Sequence, residues 1–501
     1  MLGPPKRRTL DRPVSVSLEE LVPDDHFYRH LDAALDLSVV RDWVVERYTN
    51  HGRPSIDPVV FFTFQLIMFF EGIRSERQLV ETASLNVAHR WYLGYHFDEP
   101  LPDRSSLIKI RQRLGLAIFH RFFEYIVDRC DEAGLIWGRE LVADATRVPG
   151  NASMDSLVPR LSAVVDDHLE HRFADETTAG TPLSEERWDR LETGRLDPQR
   201  PPSGPDHRIS DRTVSRTDPD ACALSLRDGR TVLGYQDHYL VDGGRARIIL
   251  HACVTPGDVT ETNVLVDQVR RTIFRRKRRP KRVIADAKYA SATNIQALET
   301  AGIEAYVPLP EWDKSSTRFK QIDFAYDAEQ NVSRCPQGEV LQPRWFDPKW
   351  EQWVYRARAS ACNACVVKAQ CTTSAQGRLL RRSIHAEYLE RVQRRHDTPR
   401  FKKAMRKRRI WAEGLFAEAK HWHGLHRFRV RGLTAVNVQA LLVASGQNLK
   451  RWLRTTDWGR RGFPGVAVAS LGPLKSPSHL ACHRLRHWHL IHLWLVERPM
   501  D

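Results

Sequence analysis

Apolar residues return every three or four positions through most of residues 15 to 135, the period of helices that bury one face. The stretches "PVVFFTFQLIMFFEGI" and "LAIFHRFFEYIVDRCDEAGL" carry the pattern most clearly. The most apolar run, Pro58 to Phe70, has 13 residues, too few to cross a bilayer and suited to a buried helix. Further on, Arg74 to Tyr95 predicts two short helices joined near Ser84-Leu85-Asn86, as in a helix-turn-helix or an ordinary packing pair.

At "RELVADATRV" (Arg139 to Val148) the pattern becomes β-like, a short apolar run that ends in an acid. A polar, Pro/Gly-rich stretch from about 155 to 215 then predicts an excursion from the core. The β-type runs Val232 to Asp242 and Ala246 to Thr255 flank Gly243-Gly244, a hairpin signature. A helix ("TETNVLVDQVRRTIF"), a strand that again reaches an acid ("RVIADAKYA"), a helix ("SATNIQALETAG") and a strand (Glu304 to Leu309) follow. This order predicts an α/β fold, a mixed sheet with its site at the strand termini.

Charge narrows the partners. Net +15 and a pI near 9.6 favour a polyanion. With 42% hydrophobic residues and 14 Trp there is ample material for a core. Eight cysteines in 501 residues make no disulfide scaffold, and the polar N-terminus shows no secretory signal. These features predict a cytoplasmic protein without a membrane partner.

Two aspartates stand in near-identical contexts, "VADAT" and "IADAK". Asp144 and Asp286 each follow a short apolar run, which predicts two carboxylates at the exits of buried strands. Turn formation or helix capping would also place an acid there. Cleavage of a phosphodiester by two metal ions needs such hard oxygen ligands, with a further one from a neighbouring helix. In "WAEGLFAEAKHWHGLHRFRVRG" (Trp411 to Gly432), read as one α-helix, Arg409 and Lys420 fall within about 40° of Glu413. Trp411, Leu415, Ala419 and Trp422 gather on the far side, and Glu418 lies near 140°, apart from the polar stripe. That stripe suits a metal ligand between cations or a solvated ion-pair ladder. Glu418 is expected to be a surface residue whose replacement is near-neutral.

The chain resembles bacterial insertion-sequence transposases of the DDE class. One group of them carries Tyr, two residues, Arg, three residues, Glu, six residues, Lys in its last catalytic helix. Arg409, Glu413 and Lys420 match that spacing, and Arg406 stands where the tyrosine would be. "GRPSIDPVVFFTFQLIMFFEGIRSERQLVE", "ELVADATRVPGNAS", "LGYQDHYLVD", "VIADAKYAS" and "HGLHRFRVRGLTAVNVQALLVASGQNLKRW" are similar to further segments of the group, in the same order. The resemblance implies an RNase H-like core in which Asp144, Asp286 and Glu413 bind two Mg²⁺ ions, with Mn²⁺ as a substitute. It implies cleavage at transposon ends and strand transfer into target DNA, by a homodimer on paired terminal inverted repeats in the bacterial nucleoid. Arg409 and Lys420 would contact DNA near the transposon end. A catalytically inactive DNA-binding derivative and an RNase H-like nuclease are the rival readings.

The basic run Phe401 to Arg409, with Lys402, Lys403 and Arg406, predicts phosphate contacts. Cys362-x-x-Cys365, with Cys371 and the upstream Cys335, suits structural zinc, free thiols or an iron–sulfur cluster. The expected division is a helical, DNA-binding N-terminal domain over 1–135 and a first part of the core over 136–310. A Cys-rich insertion over 311–400, the catalytic helix with the rest of the core over 401–453, and an irregular tail over 454–501 complete it.

Overall fold

The computed structural model describes residues 15–48, 55–159, 213–309 and 318–464. Most of the polar excursion expected over about 155–215, and the tail beyond 464, lie outside the described residues.

Among the described residues, seven α-helices come first: α1 (Leu18–Leu21), α2 (Phe27–Ala34), α3 (Val39–Val44), α4 (Pro58–Phe70), α5 (Glu76–Leu85), α6 (Val87–Leu93) and α7 (Arg104–Glu132). The apolar run becomes α4, started by the Asp57 side chain capping Val59 with Pro58 in the first turn. Asn86 ends α5 and caps α6, so the predicted pair of short helices is present. Gly115, at φ 62°, breaks α7 into two segments. A polar node lies among the apolar side chains: Glu71 accepts from Tyr28 Oη at 2.7 Å and lies 3.1 Å from His89 Nε2.

The main sheet uses β1 (Glu140–Pro149), β4 (Cys222–Ser225), β5 (Thr231–Asp242), β6 (Ile249–Pro256), β7 (Arg282–Ile284) and β8 (Glu304–Tyr306), while β2 (Leu157–Pro159) and β3 (Thr213–Ser215) form a separate pair. β4 and β6 share one edge of β5, and β5-β1-β7-β8 follow in order. β5 is antiparallel to β1, whereas β1, β7 and β8 run parallel. The parallel strands are joined through α8 (Leu265–Arg276) and α9 (Ala292–Thr300).

Residues 318–383 form a second, antiparallel sheet of β9 (Ala325–Asp327), β10 (Val332–Arg334), β11 (Val340–Asp347), β12 (Gln352–Arg356) and β13 (Leu379–Ser383), with α10 (Ala359–Asn363) and α11 (Lys368–Cys371) between the last two. It has its own small core of Phe324, Leu341, Tyr355, Ala357, Cys371 and Leu380. The chain returns through α12 (Ala386–His396), α13 (Pro399–Arg408), a π-helical turn (Arg409–Glu413), α14 (Gly414–Trp422) and α15 (Leu433–Leu453). The stretch read as one helix from Trp411 to Gly432 therefore ends at Trp422.

One apolar core runs from α2, α4 and α7 through α14 and α15 into the sheet. α15 lies between the N-terminal helices and β6, and two asparagines fasten it to that strand. Asn437 exchanges hydrogen bonds with Val254 N and O at 2.8 and 3.0 Å, and Asn448 does the same with Ile249, both at 2.8 Å. They satisfy backbone groups that an open sheet edge would leave bare. Gly446 allows α15 to meet α4, because a Cβ there would stand 2.4 Å from the Phe69 ring. Gly446→Ala is expected to cost about 1–3 kcal/mol of stability through overpacking, measured by denaturant unfolding; an unchanged midpoint would show that the two helices can separate freely.

Candidate active site

Asp144 and Asp286 owe their placement to strand register. In the parallel ladder Glu140, Leu141 and Val142 of β1 stand beside Arg282, Val283 and Ile284 of β7. Two residues beyond the last pair on each strand are the two aspartates. Asp286 leaves the sheet there, its carboxylate capping the next turn through Lys288 N at 2.9 Å. The sequence reading put Asp144 at a strand exit as well. The structure corrects this: β1 continues against β5 to Pro149, with Asp144 opposite Tyr239 in mid-strand.

Asp144 is buried, and burial pushes its pKa to about 7; the Arg408 guanidinium opposes the shift, while Asp286 and Glu413 add to it. Glu413 is the third carboxylate. Arg408 joins two of the three, with Nη1 3.2 Å from Asp144 Oδ1 and Nη2 3.5 Å from Glu413 Oε1. In a regular α-helix residues five apart point about 140° away from each other. The π turn adds a residue to the coil and brings 408 and 413 to the same side. The predicted partner of Glu413, Arg409, is exposed instead. Lys402, Lys403 and Arg406 are exposed with it, so α13 presents a basic surface leading into the site.

Lys420 is half-buried. Its ammonium donates to Thr146 Oγ1 at 2.7 Å and Arg147 O at 3.0 Å, tying α14 to β1. Burial lowers its pKa, and nearby Arg227 lowers it further. On the same face of the sheet Asp237 of β5 pairs with Thr146 in register and is fully buried. Neither of its carboxylate oxygens accepts a hydrogen bond of good geometry; the Tyr239 hydroxyl close by donates to Gln447 Oε1 at 3.4 Å and still favours the Asp237 charge. Burial raises the Asp237 pKa to about 8 against the pull of Lys420. Close to Asp286, buried Glu261 accepts from Lys288 Nζ at 2.7 Å, and the Tyr289 hydroxyl is buried without a partner.

Glu418 reverses its expectation. It is no surface residue: it accepts from Lys450 at 2.8 Å, Arg451 at 3.0 Å and Gln447 at 3.2 Å, all on α15. These cations hold its pKa well below the ordinary value despite burial. His423, 3.7 Å from Glu418, stacks on Phe69 with ring centroids 3.8 Å apart.

Two segments of the chain match known protein families. Residues 16–113 match the family described as Transposase domain (DUF772), and residues 334–453 match the Transposase DDE domain. The chain is a DNA transposase. No curated protein matches it. Among solved structures, a Mos1 transposase paired-end complex with left transposon end is similar over 57% of this chain and 73% of that one, at 12% identity and a TM-score of 0.14.

The DDE segment of the transposase spans both Glu413 and the four cysteines. Cys371 is buried in the core of the second sheet, with Cys335 and Cys362 packed against it. All four are free thiols, and Cys362 Sγ accepts from Arg378 N at 3.4 Å. Burial raises the Cys371 pKa, against the influence of Arg378. Among the described residues, no three His, Cys, Asp or Glu side chains stand in a metal-holding group, either at the cysteines or at the three carboxylates.

Glu418→Gln in the transposase is expected to destabilise by about 3 kcal/mol, since two half-buried cations lose their counter-charge; a wild-type unfolding midpoint would refute the fastening role. Asp237 yields a pH signature. A carboxyl whose folded pKa is raised from 3.8 to about 8 contributes stability that is intact at low pH and lost as pH rises through that interval. Asp237→Asn is neutral throughout, so its melting temperature should exceed wild type by a margin that widens from about pH 4 to about pH 8 and is level above that. A margin independent of pH would contradict the assignment.

Proposed function

We propose that this transposase cleaves DNA at transposon ends and joins the exposed 3′-hydroxyl to target DNA, using Asp144, Asp286 and Glu413 to hold two divalent metal ions. The observation that carries the reading is the β1–β7 register, from which each aspartate follows two residues past the last pair, with Arg408 linking Asp144 to Glu413. The strand order β6-β5-β1-β7-β8, three antiparallel strands followed by two parallel ones, supports an RNase H-like core.

The residues suit Mg²⁺ or Mn²⁺ in kind. They are hard oxygen donors, and the buried Asp144 carboxylate is costly to ionise without a cation beside it. When bound, the two ions would polarise the scissile phosphate and lower the pKa of the attacking hydroxyl. The chain's own contribution is to fix the acids on rigid elements. Asp144 is locked in a paired strand, Asp286 is oriented by its cap, and Glu413 is carried by a turn anchored on both sides. Lys402, Lys403, Arg406 and Arg409 would hold phosphates beside the site, giving salt-sensitive, sequence-independent affinity. A homodimer on two paired ends would fit this chemistry. Among the described residues no helix is long and apolar enough to cross a membrane.

Asp144→Asn, Asp286→Asn and Glu413→Gln should each lower metal-dependent end cleavage and strand transfer at least about 100-fold while gel-shift binding to end DNA persists. Full activity in Glu413→Gln would remove the proposed triad.

A further inference from the structure

A cation already stands between two of the three carboxylates. The Arg408 side chain is 16% exposed, unlike the solvent-facing Lys402, Lys403, Arg406 and Arg409 around it on α13 and the π turn. It reaches inward past Lys407, whose own ammonium pairs with Glu140 and lies over the Trp137 and Trp411 rings at 5.4 and 5.0 Å. Its two terminal nitrogens face different acids, Asp144 on the sheet and Glu413 on the helix. Guanidinium keeps its charge throughout the working range.

We propose that Arg408 is the resident counter-cation of the carboxylate site, bridging Asp144 and Glu413 in the metal-free protein and withdrawing when divalent metal binds; the proposal rests on reading these acids as metal ligands. The electrostatics require the exchange. The same oxygens cannot hold a guanidinium at 3.2–3.5 Å and a divalent ion at about 2.1 Å without two cations meeting at short range. Without either cation, a buried aspartate and a glutamate would face each other unscreened. Arg408 therefore compensates the two acids and would compete with a metal for them. The π turn is the device that makes this geometry, because a continuous α-helix would turn residue 408 away from 413.

The test uses the full-length protein without DNA and reads Mn²⁺ binding by calorimetry, with melting temperature in chelator and in Mn²⁺. Arg408→Met keeps the aliphatic stem without the charge, and Arg408→Ala removes both. Both variants are expected to bind Mn²⁺ about tenfold more tightly or better, to melt lower than wild type in chelator, and to gain more from added Mn²⁺. Arg408→Lys should stay near wild type. Equal or weaker Mn²⁺ binding by a folded Arg408→Met protein would overturn the proposal. Asp144→Asn separates the two ideas: if it bound Mn²⁺ as wild type does, the metal-ligand reading itself would fall, whatever Arg408 does.

Discussion

The buried Asp144 carboxylate is costly to ionise, more so with Asp286 and Glu413 nearby, and the architecture around it answers that cost. Asp144 shows the strain most plainly, being buried, paired with a guanidinium, and still displaced to a pKa of about 7. The fold cannot spread the acids, since register fixes two of them and the π turn fixes the third. It supplies positive charge instead, through Arg408.

Positioning of the site reaches far back into the chain. Glu413 sits at the junction of the π turn and α14, and α14 is fastened to α15 by Glu418 with Lys450 and Arg451, and by Gln447 donating to Leu415 O at 2.9 Å. α15 in turn is fixed to β6 by its two asparagines and to the N-terminal helices by close packing at Gly446 and Phe69. The helical N-terminus is thus part of the scaffold that sets the third carboxylate, whatever DNA it touches. A cavity in α4 would be felt at the site through α15.

Much of this was legible in sequence. The succession of strands and helices from β5 to β8 followed from alternating patterns and the Gly243-Gly244 hairpin, and the twin contexts singled out Asp144 and Asp286, which stand two residues past the last β1–β7 pair. What failed has specific causes. Helix phase beyond Arg408 was computed at a uniform angle per residue, and a π turn adds a residue that no apolar pattern announces, so Arg409 stood in for Arg408. Glu418 looked peripheral because its partners lie 29 to 33 residues on, in a helix whose packing face cannot be matched to it from one sequence. Asp144 looked like a strand end because only its parallel neighbour β7 stops there; the antiparallel pairing with β5 carries β1 five residues further. Asp237 lies between Gln236 and His238 in "GYQDHYL", where a polar run gives no sign that all three side chains are buried.

The spacing of Glu413 and Lys420 has a physical meaning of its own. Seven residues of α-helix advance about 10 Å and return to nearly the same face. Asp144 and Thr146 lie on one face of β1, about 7 Å apart along the strand. Glu413 approaches the first through Arg408, and Lys420 bonds the second directly. One side of α14 therefore meets one strand at two points, crossing it obliquely, and the lysine acts as a strap that fixes how far the glutamate reaches. Two of the three ammonium donors are used on β1, while the buried Asp237 beneath supplies a field that favours keeping that charge in place. A helix free to slide along β1 would change the distance between Glu413 and Asp144; a helix strapped at Thr146 cannot.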